Sequence, residues 1–426
     1  MNMLTLNTKS LYLAGTIALI LGVVGCQKET DVAPDDLPPA VPIAIGCQGD
    51  SLSLGEETVV LENWNNGVDY TVSCVAQVIG NLTIKPGVEI QFANDAGLVI
   101  QESGSIAATG EADNPIMFTG QDALPGSWRG ILSYSGDVKN QLRHCLIDYA
   151  GGGAFNSNDD EGALILWADA KMRIQDCTID HSAAYGINAT YQNYDVQVEN
   201  TTIRRCEIPI FMDADAVGGI TGGVYEENAQ NVIRVLGGTH KITTDQQWTN
   251  LGIPYRISSV QSSFQYLSVT GATLTIDPGV TLEFENGMGL IIGESDESTL
   301  IATGTEAAPI LFTGVNKVKG AWGGLYFRFT NSPLNAISNA TIEYAGSPGW
   351  DGAISMWANP TLKMDKVNFK SIRSCALYDA PKPDYNVPSQ TVNPNLTMTD
   401  VTYSDVENAN ESTVNEEGGA HYCFGG

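Results

Sequence analysis

The chain has 426 residues, 43% of them hydrophobic, which is material for one elongated or two compact domains with a sizeable core. Its 49 acidic residues against 21 basic ones give a formal charge of -28. A surface that negative repels phosphate backbones and anionic lipid headgroups and speaks against nucleic acid as a partner; it suits solubility in salty surroundings or cation binding.

The N-terminus carries one positive charge, Lys9, followed by an uncharged apolar stretch from Leu11 to Val24 that ends in Val23-Val24-Gly25-Cys26. The stretch is shorter than the ~20 residues a spanning helix needs and is followed by a small residue, the pattern of a signal peptide over 1–25. Val23 to Cys26 resemble the lipobox of bacterial lipoproteins, which implies acylation of Cys26 as the first residue of the mature chain. The alternative is an ordinary secretory signal with an incidental cysteine. Each buried methylene of an acyl chain contributes ~0.8 kcal/mol, so several chains anchor stably. Residues 26–45 follow as an acidic, proline-rich tether with little to bury. Their acidic start resembles the signal that sends some Bacteroidetes lipoproteins outward, which implies an outer-membrane, surface-exposed address.

Seven cysteines remain beyond Cys26, so at least one is unpaired. Export puts them where disulfides persist, and Cys47 with Cys74 is the first choice of pair, worth ~3 kcal/mol on a chain-entropy estimate.

From here a duplication dominates. Leu82-Thr-Ile-Lys-Pro-Gly-Val-Glu-Ile-Gln-Phe92 returns as Leu274-Thr-Ile-Asp-Pro-Gly-Val-Thr-Leu-Glu-Phe284. Gly126-Ser-Trp-Arg-Gly130 returns as Gly320-Ala-Trp-Gly-Gly324, and Gly162-Ala-Leu-Ile-Leu-Trp167 as Gly352-Ala-Ile-Ser-Met-Trp357. The copies are placed at 46–240 and 241–426. Within each, short alternating strands such as Val88, Ile90, Phe92 are separated by Pro-Gly and Thr-Gly turns, and no amphipathic helix of ordinary length appears.

Smaller echoes decide among sandwich, barrel and solenoid. His144-Cys-Leu-Ile-Asp-Tyr149, Asp176-Cys-Thr-Ile-Asp-His181 and Asn200-Thr-Thr-Ile-Arg-Arg205 repeat one phrase, answered by Asn339–Tyr344, Lys366–Ser371 and Asp400–Asp405. If each phrase is the same strand on successive coils, Cys145, Cys177 and Thr201 stack inward about 4.8 Å apart, and the cysteines are buried thiols. These phrases, the Gly-x-Trp-x-Gly turns and the Tyr-Ala-Gly corners resemble the repeats of the pectin-lyase-like superfamily over residues 75–426. The expected fold is therefore all-β, a right-handed parallel β-helix solenoid of two tandem copies. The resemblance is weak for activity, since the superfamily holds lyases, glycosidases, adhesins and proteins of no assigned reaction.

Residues shared by both copies, such as Trp128/Trp322 and Trp167/Trp357, are read as coil-building; the alternative is stacking on sugar rings. The single-copy loop Asn156–Glu161 gathers oxygens suited to Ca²⁺, with Asp159, Asp160 and Glu161 as candidate ligands, although a solvated loop is the simpler reading. Arg129, Arg143, His144, Arg173, His181, Arg204 and Arg205 are concentrated in the first copy, which is the argument for a lyase. No Gly-His-Gly follows the aspartate pair, and Arg173-Ile174-Gln175 lacks the lysine of an Arg-Ile-Lys motif, so polygalacturonase-like chemistry is not carried over. No catalytic set is assigned and no cofactor is required beyond the candidate Ca²⁺. The expected function is a cell-envelope lipoprotein presenting a β-helix for noncatalytic binding of a glycan or surface protein; a polysaccharide lyase or glycosidase comes second and a structural spacer third.

Overall fold

The computed structural model describes residues 41–46, 54–55, 57–64, 67–155, 161–167, 169–191, 195–260, 266–293, 295, 297–380, 393–408, 412–414 and 420–424. Cys26 with the signal peptide, most of the tether, Cys47, Asp159 and Asp160 lie outside them.

Alternation sets the architecture. Each short strand turns every second side chain inward, and a turn follows before the next strand, so the chain winds into three-sided coils. In the first copy a front sheet stacks Tyr70–Val72, Glu89–Phe92, Ile116–Gly120, Cys145–Asp148, Thr178–Asp180, Thr202–Arg204 and Val224–Glu226. A flank sheet stacks Asn81–Ile84, Ser105–Thr109, Gln141–Arg143, Met172–Gln175 and Val196–Glu199. A back sheet stacks Gly97–Ile100, Ile131–Ser133, Leu164–Leu166, Tyr185–Ala189, Ile208–Asp213 and Ile233–Leu236. Pairing in these columns is parallel, as in the expected right-handed β-helix. A six-residue 3-10 turn, Ala214–Gly219, is the only helix among the described residues.

The six-residue phrase acquires a physical reason. Its first and last residues sit in the left-handed region, His144 and Tyr149 at φ 46° and 61°, Asp176 and His181 at 53° and 49°, Asn200 and Arg205 at 48° and 53°. The second copy repeats this at Asn339/Tyr344, Lys366/Ser371 and Asp400/Asp405. Each phrase is thus a strand held between two sharp corners, whose cost of order 1–2 kcal/mol apiece is met by ladder bonds such as His144 N–H to the Gln175 carbonyl at 3.2 Å. Positions two and four point inward, and Cys145, Cys177, Thr201, Ile147, Ile179 and Ile203 are all buried, as expected. Cys145, Cys177 and Cys206 are free thiols. The hydrogen bond that Cys145 donates to Cys177, together with burial, pushes the Cys145 thiol well up, so it is inert near neutral pH.

The shared tryptophans divide. Trp128 and Trp322 are fully buried, stacked on Phe92 at 4.0 Å and Phe284 at 4.2 Å, with indole N–H groups donating to the carbonyls of Asp148 and Glu343. They build the coil. Trp167 and Trp357 lie at the outer surface.

The copies form one continuous solenoid, turned against each other. Ile233–Leu236 pairs with Tyr255–Ser258, which pairs with Thr281–Phe284. Thr281–Phe284 is the repeat of the front-sheet strand Glu89–Phe92, yet it stands in the column of the first copy's back sheet. The second copy is therefore rotated by one face of the three-sided coil. Its own back sheet, Gly289–Gly293, Leu325–Arg328, Gly352–Trp357 and Cys375–Ala380, starts a new column. That column ends in the hairpin Ser412–Val414/Ala420–Phe424, antiparallel to Cys375–Ala380 and tied to it by the Cys375–Cys423 disulfide. The bond closes 48 residues, worth about 4 kcal/mol on the chain-entropy estimate. Cys74 is also disulfide-bonded.

Candidate functional site

The front sheet of the first copy carries the chemistry, because stacking turns one position of the phrase into a column. Position five, facing out, reads Asp148, Asp180, Arg204, Glu226 in register. Position six, on the left-handed corner, reads Tyr149, His181, Arg205, Glu227, with the last at φ 56°. Residues 22 to 33 apart in sequence thereby become neighbours.

At the centre lies Asp180, buried. Arg204 donates through Nε to its Oδ2 at 2.9 Å; Arg205 donates through Nε to Oδ1 at 2.8 Å and through Nη2 to Oδ2. Arg205 also reaches Glu227 at 3.2 Å. His181 Nδ1 lies 3.1 Å from Oδ1 of both Asp148 and Asp180, and its ring stacks on Tyr149 at 5.0 Å. Burial pushes the Asp180 carboxyl up, but the hydrogen bonds from Arg205 and Arg204 outweigh it and hold the group below the usual aspartate range. On Asp148 burial wins over the His181 hydrogen bond, and its carboxyl is raised. Beneath them Cys206 is pushed up to about 12 by burial.

Beside this network is an open groove of about 330 Å³. Leu146 and Thr178, the other outward positions of the same strands, line it with Glu111, Pro115, His144, Asp176 and Arg204. Arg204 therefore stands between groove and carboxylates.

Of the basic residues singled out from sequence, the fold brings His181, Arg204 and Arg205 together. His144 and Arg204 share the groove. Arg143 pairs with Asp176 at 4.0 Å nearby, Arg129 donates to the backbone carbonyl of Asp95 at 3.0 Å, and Arg173 lies with Lys171 and Gln197 on another surface. Asp148 and Asp180 were legible but not singled out: reading position five down the aligned phrases would have found them. Glu161 is half-buried and its carbonyl accepts from Asn188 at 3.4 Å; its partners in the expected Ca²⁺ set lie outside the described residues.

Ligand atoms of Asp148, Asp180 and His181 lie within 4.8 Å of one another. A cation there would meet two guanidiniums that already occupy both oxygens of Asp180, so the cluster is a poor metal centre. Hydrolysis by two carboxyl groups needs them free and flanking the scissile bond, ~5–9.5 Å apart. These two stand side by side on one face, one of them sealed.

Residues 86–247 match a family model described as a right handed beta helix region, and residues 258–356 one described as a pectate-lyase like beta helix domain. Both matches support the pectin-lyase-like superfamily. No curated protein and no solved structure matches the chain.

Proposed function

We propose that this chain, built as one right-handed β-helix of two tandem copies of the pectin-lyase-like kind, is a noncatalytic cell-envelope protein that binds a glycan in the front-sheet groove of its first copy. The observation that supports it most is the state of Asp180, whose two oxygens are consumed by Arg204 and Arg205. A surface protein is the other ligand compatible with so flat a face. Lipid on Cys26 would hold the molecule at the membrane, outermost through the acidic tether, and Asp159, Asp160 and Glu161 remain the proposed Ca²⁺ ligands. Replacing Cys26 with serine should then move the protein from the membrane to the soluble fraction, and retention would remove the anchor.

A second reading is favoured by one observation: neighbouring carboxyl groups, Asp148 raised and Asp180 lowered, are how a fold separates an acid from a base. Incubation with acidic and neutral polysaccharides separates the readings. The binding function predicts retention on a glycan column, lost in Leu146→Arg, with no new reducing ends or unsaturated product. Turnover abolished by Asp148→Asn would establish the enzyme instead.

A further inference from the structure

On the flank sheet of the first copy Met172 turns inward, so Lys171 and Arg173 on either side of it turn outward together. With Asp195 and Gln197 of the next coil they line a pocket of about 170 Å³, walled by Val138, an apolar side chain left 80% exposed. Its floor is Asn140, whose buried carboxamide is already spent on Ile106 and Ser135. No carboxylate of the described residues pairs with either cation, not even Asp195, whose carbonyl accepts from the Met172 N–H at 3.2 Å. Arg143, Arg234 and Arg256 by contrast each hold an acid. The second copy shows how the coil closes this corner. Leu362 N–H donates to the Asn395 carbonyl at 3.2 Å as Met172 does to Asp195, which makes Thr361, Lys363, Asn395 and Thr397 the counterparts of Lys171, Arg173, Asp195 and Gln197. There the Thr361 hydroxyl donates to the Asn331 carbonyl at 3.5 Å and the Asn395 amide to the Asn359 carbonyl at 2.9 Å. The first copy replaces these closing groups with a second cation and a carboxylate, which coil building does not need.

We propose that this pocket binds a small hydroxylated monoanion, its oxyanion held by Arg173 and Lys171 and a neighbouring hydroxyl by Asp195. The charges decide the class. Two cations and one carboxylate leave one net positive charge, which matches a single negative charge and not the roughly two of a phosphate monoester. The planar fork of Arg173 offers parallel donors to an oxyanion, Gln197 adds an amide, and the Asp195 carboxylate only accepts, so the rest of the ligand has to donate. A volume of about 170 Å³ lies below the ~300 Å³ at which drug-sized pockets begin, so the occupant is one small unit. The chain's charge of -28 does not forbid it, because exposed charges are screened beyond about 8 Å at physiological salt and the nearby pair of cations governs. A hydroxy-carboxylate and a sugar sulfate ester share this chemistry.

The site is separate from the front-sheet groove, and the test keeps them apart. The full chain carrying Cys26→Ser is titrated by calorimetry with gluconate, glucose 6-sulfate, acetate as an anion without hydroxyls, and glucose as a neutral sugar. One site per chain is expected for gluconate or for glucose 6-sulfate, which distinguishes the two sources, with weaker binding of acetate and glucose. Arg173→Gln should weaken that site by about tenfold or more and Lys171→Gln by less, both side chains being outward enough to leave circular dichroism unchanged. Leu146→Arg should leave it unaltered. Asp195→Asn should narrow the preference for the hydroxylated anion over acetate; tightening of every anion alike would show a carboxylate that only repels and would overturn its role. Binding that survives both Arg173→Gln and Lys171→Gln but is lost in Leu146→Arg overturns the proposal and puts the anion in the groove. Glucose bound as tightly as gluconate and glucose 6-sulfate, or no saturable heat from either anion at ~1 mM, also overturns it and leaves the groove reading as it was.

Discussion

The two copies share their inward residues and differ in their outward ones, and the difference locates the charge network. Where the first has Asp148, Asp180 and Arg204 in one column, the second has Glu343, Lys370 and Ser404. Where the corners read His181 and Arg205, they read Ser371 and Asp405. The second copy's pairs are ordinary surface contacts, Lys370 to Glu343 at 3.7 Å and Ser371 to Asp405 at 3.0 Å. One coil design thus carries a concentrated charge network in one half and dispersed pairs in the other.

The largest expected effect tests the shared half of that comparison. Trp128→Ala and Trp322→Ala should each cost about 3–5 kcal/mol, because each empties a fully buried stack and leaves a carbonyl without its donor. Denaturant midpoints should fall alike; a large fall in one alone would break the equivalence. Next, Asp180→Asn should cost about 2–3 kcal/mol, less than a wholly buried pair because Arg204 and Arg205 can turn to solvent. Lys370→Met at the matching position should change stability by no more than about 1 kcal/mol. Equal losses would mean that the network is no more than surface pairing.

Smaller effects follow at the glycines that begin the repeated back-sheet strands. A Cβ on Gly97 would lie 2.7 Å from the Phe155 ring, and one on Gly289 would collide with the larger Trp350 ring. Gly289→Ala should therefore cost more than Gly97→Ala, both within about 1–3 kcal/mol by thermal melting. The smallest effect is in pH dependence. The folded carboxyl of Asp180 is depressed, so its contribution is present above the ordinary aspartate value near 3.9 and is lost as pH falls through its lower folded value. Asp148 is raised, so its charge opposes folding above the ordinary value, and that opposition is relieved as pH falls through its higher folded value. Melting against pH should show Asp148→Asn equal to or slightly above the parent at neutral pH; a loss as large as that of Asp180→Asn would reverse the assignment.

Much of the coil was readable because side chains alternate with period two. The phrase His144–Tyr149 places Cys145 and Ile147 inside and Asp148 outside wherever its coil lies in the stack. The left-handed corners were announced in part, since His144, Asp176, Asn200, Asn339 and Asp400 are of the types enriched at positive φ, whereas Lys366 and the closing Tyr149, Arg205 and Tyr344 are not. The meeting of Asp148, Asp180 and His181 depends on coil lengths that loops make unequal, so no fixed spacing marks it. The rotation between copies was hidden for another reason. Ile233–Leu236 closes the first copy's back sheet and also begins the column of the second copy's front strands, and its apolar pattern suits both.

The hairpin at the end of the second back sheet governs something beyond the stability of one molecule. A column of parallel strands is its own template: each edge presents the pattern that the next strand, from any chain, would copy. Ala420–Phe424 runs antiparallel to Cys375–Ala380, is locked to it by the Cys375–Cys423 disulfide and has its other side taken by Ser412–Val414, so the last strand of the column no longer presents a free edge. What is left at that edge is a three-residue strand, and a short edge strand is one of the ways a sheet avoids pairing with another chain.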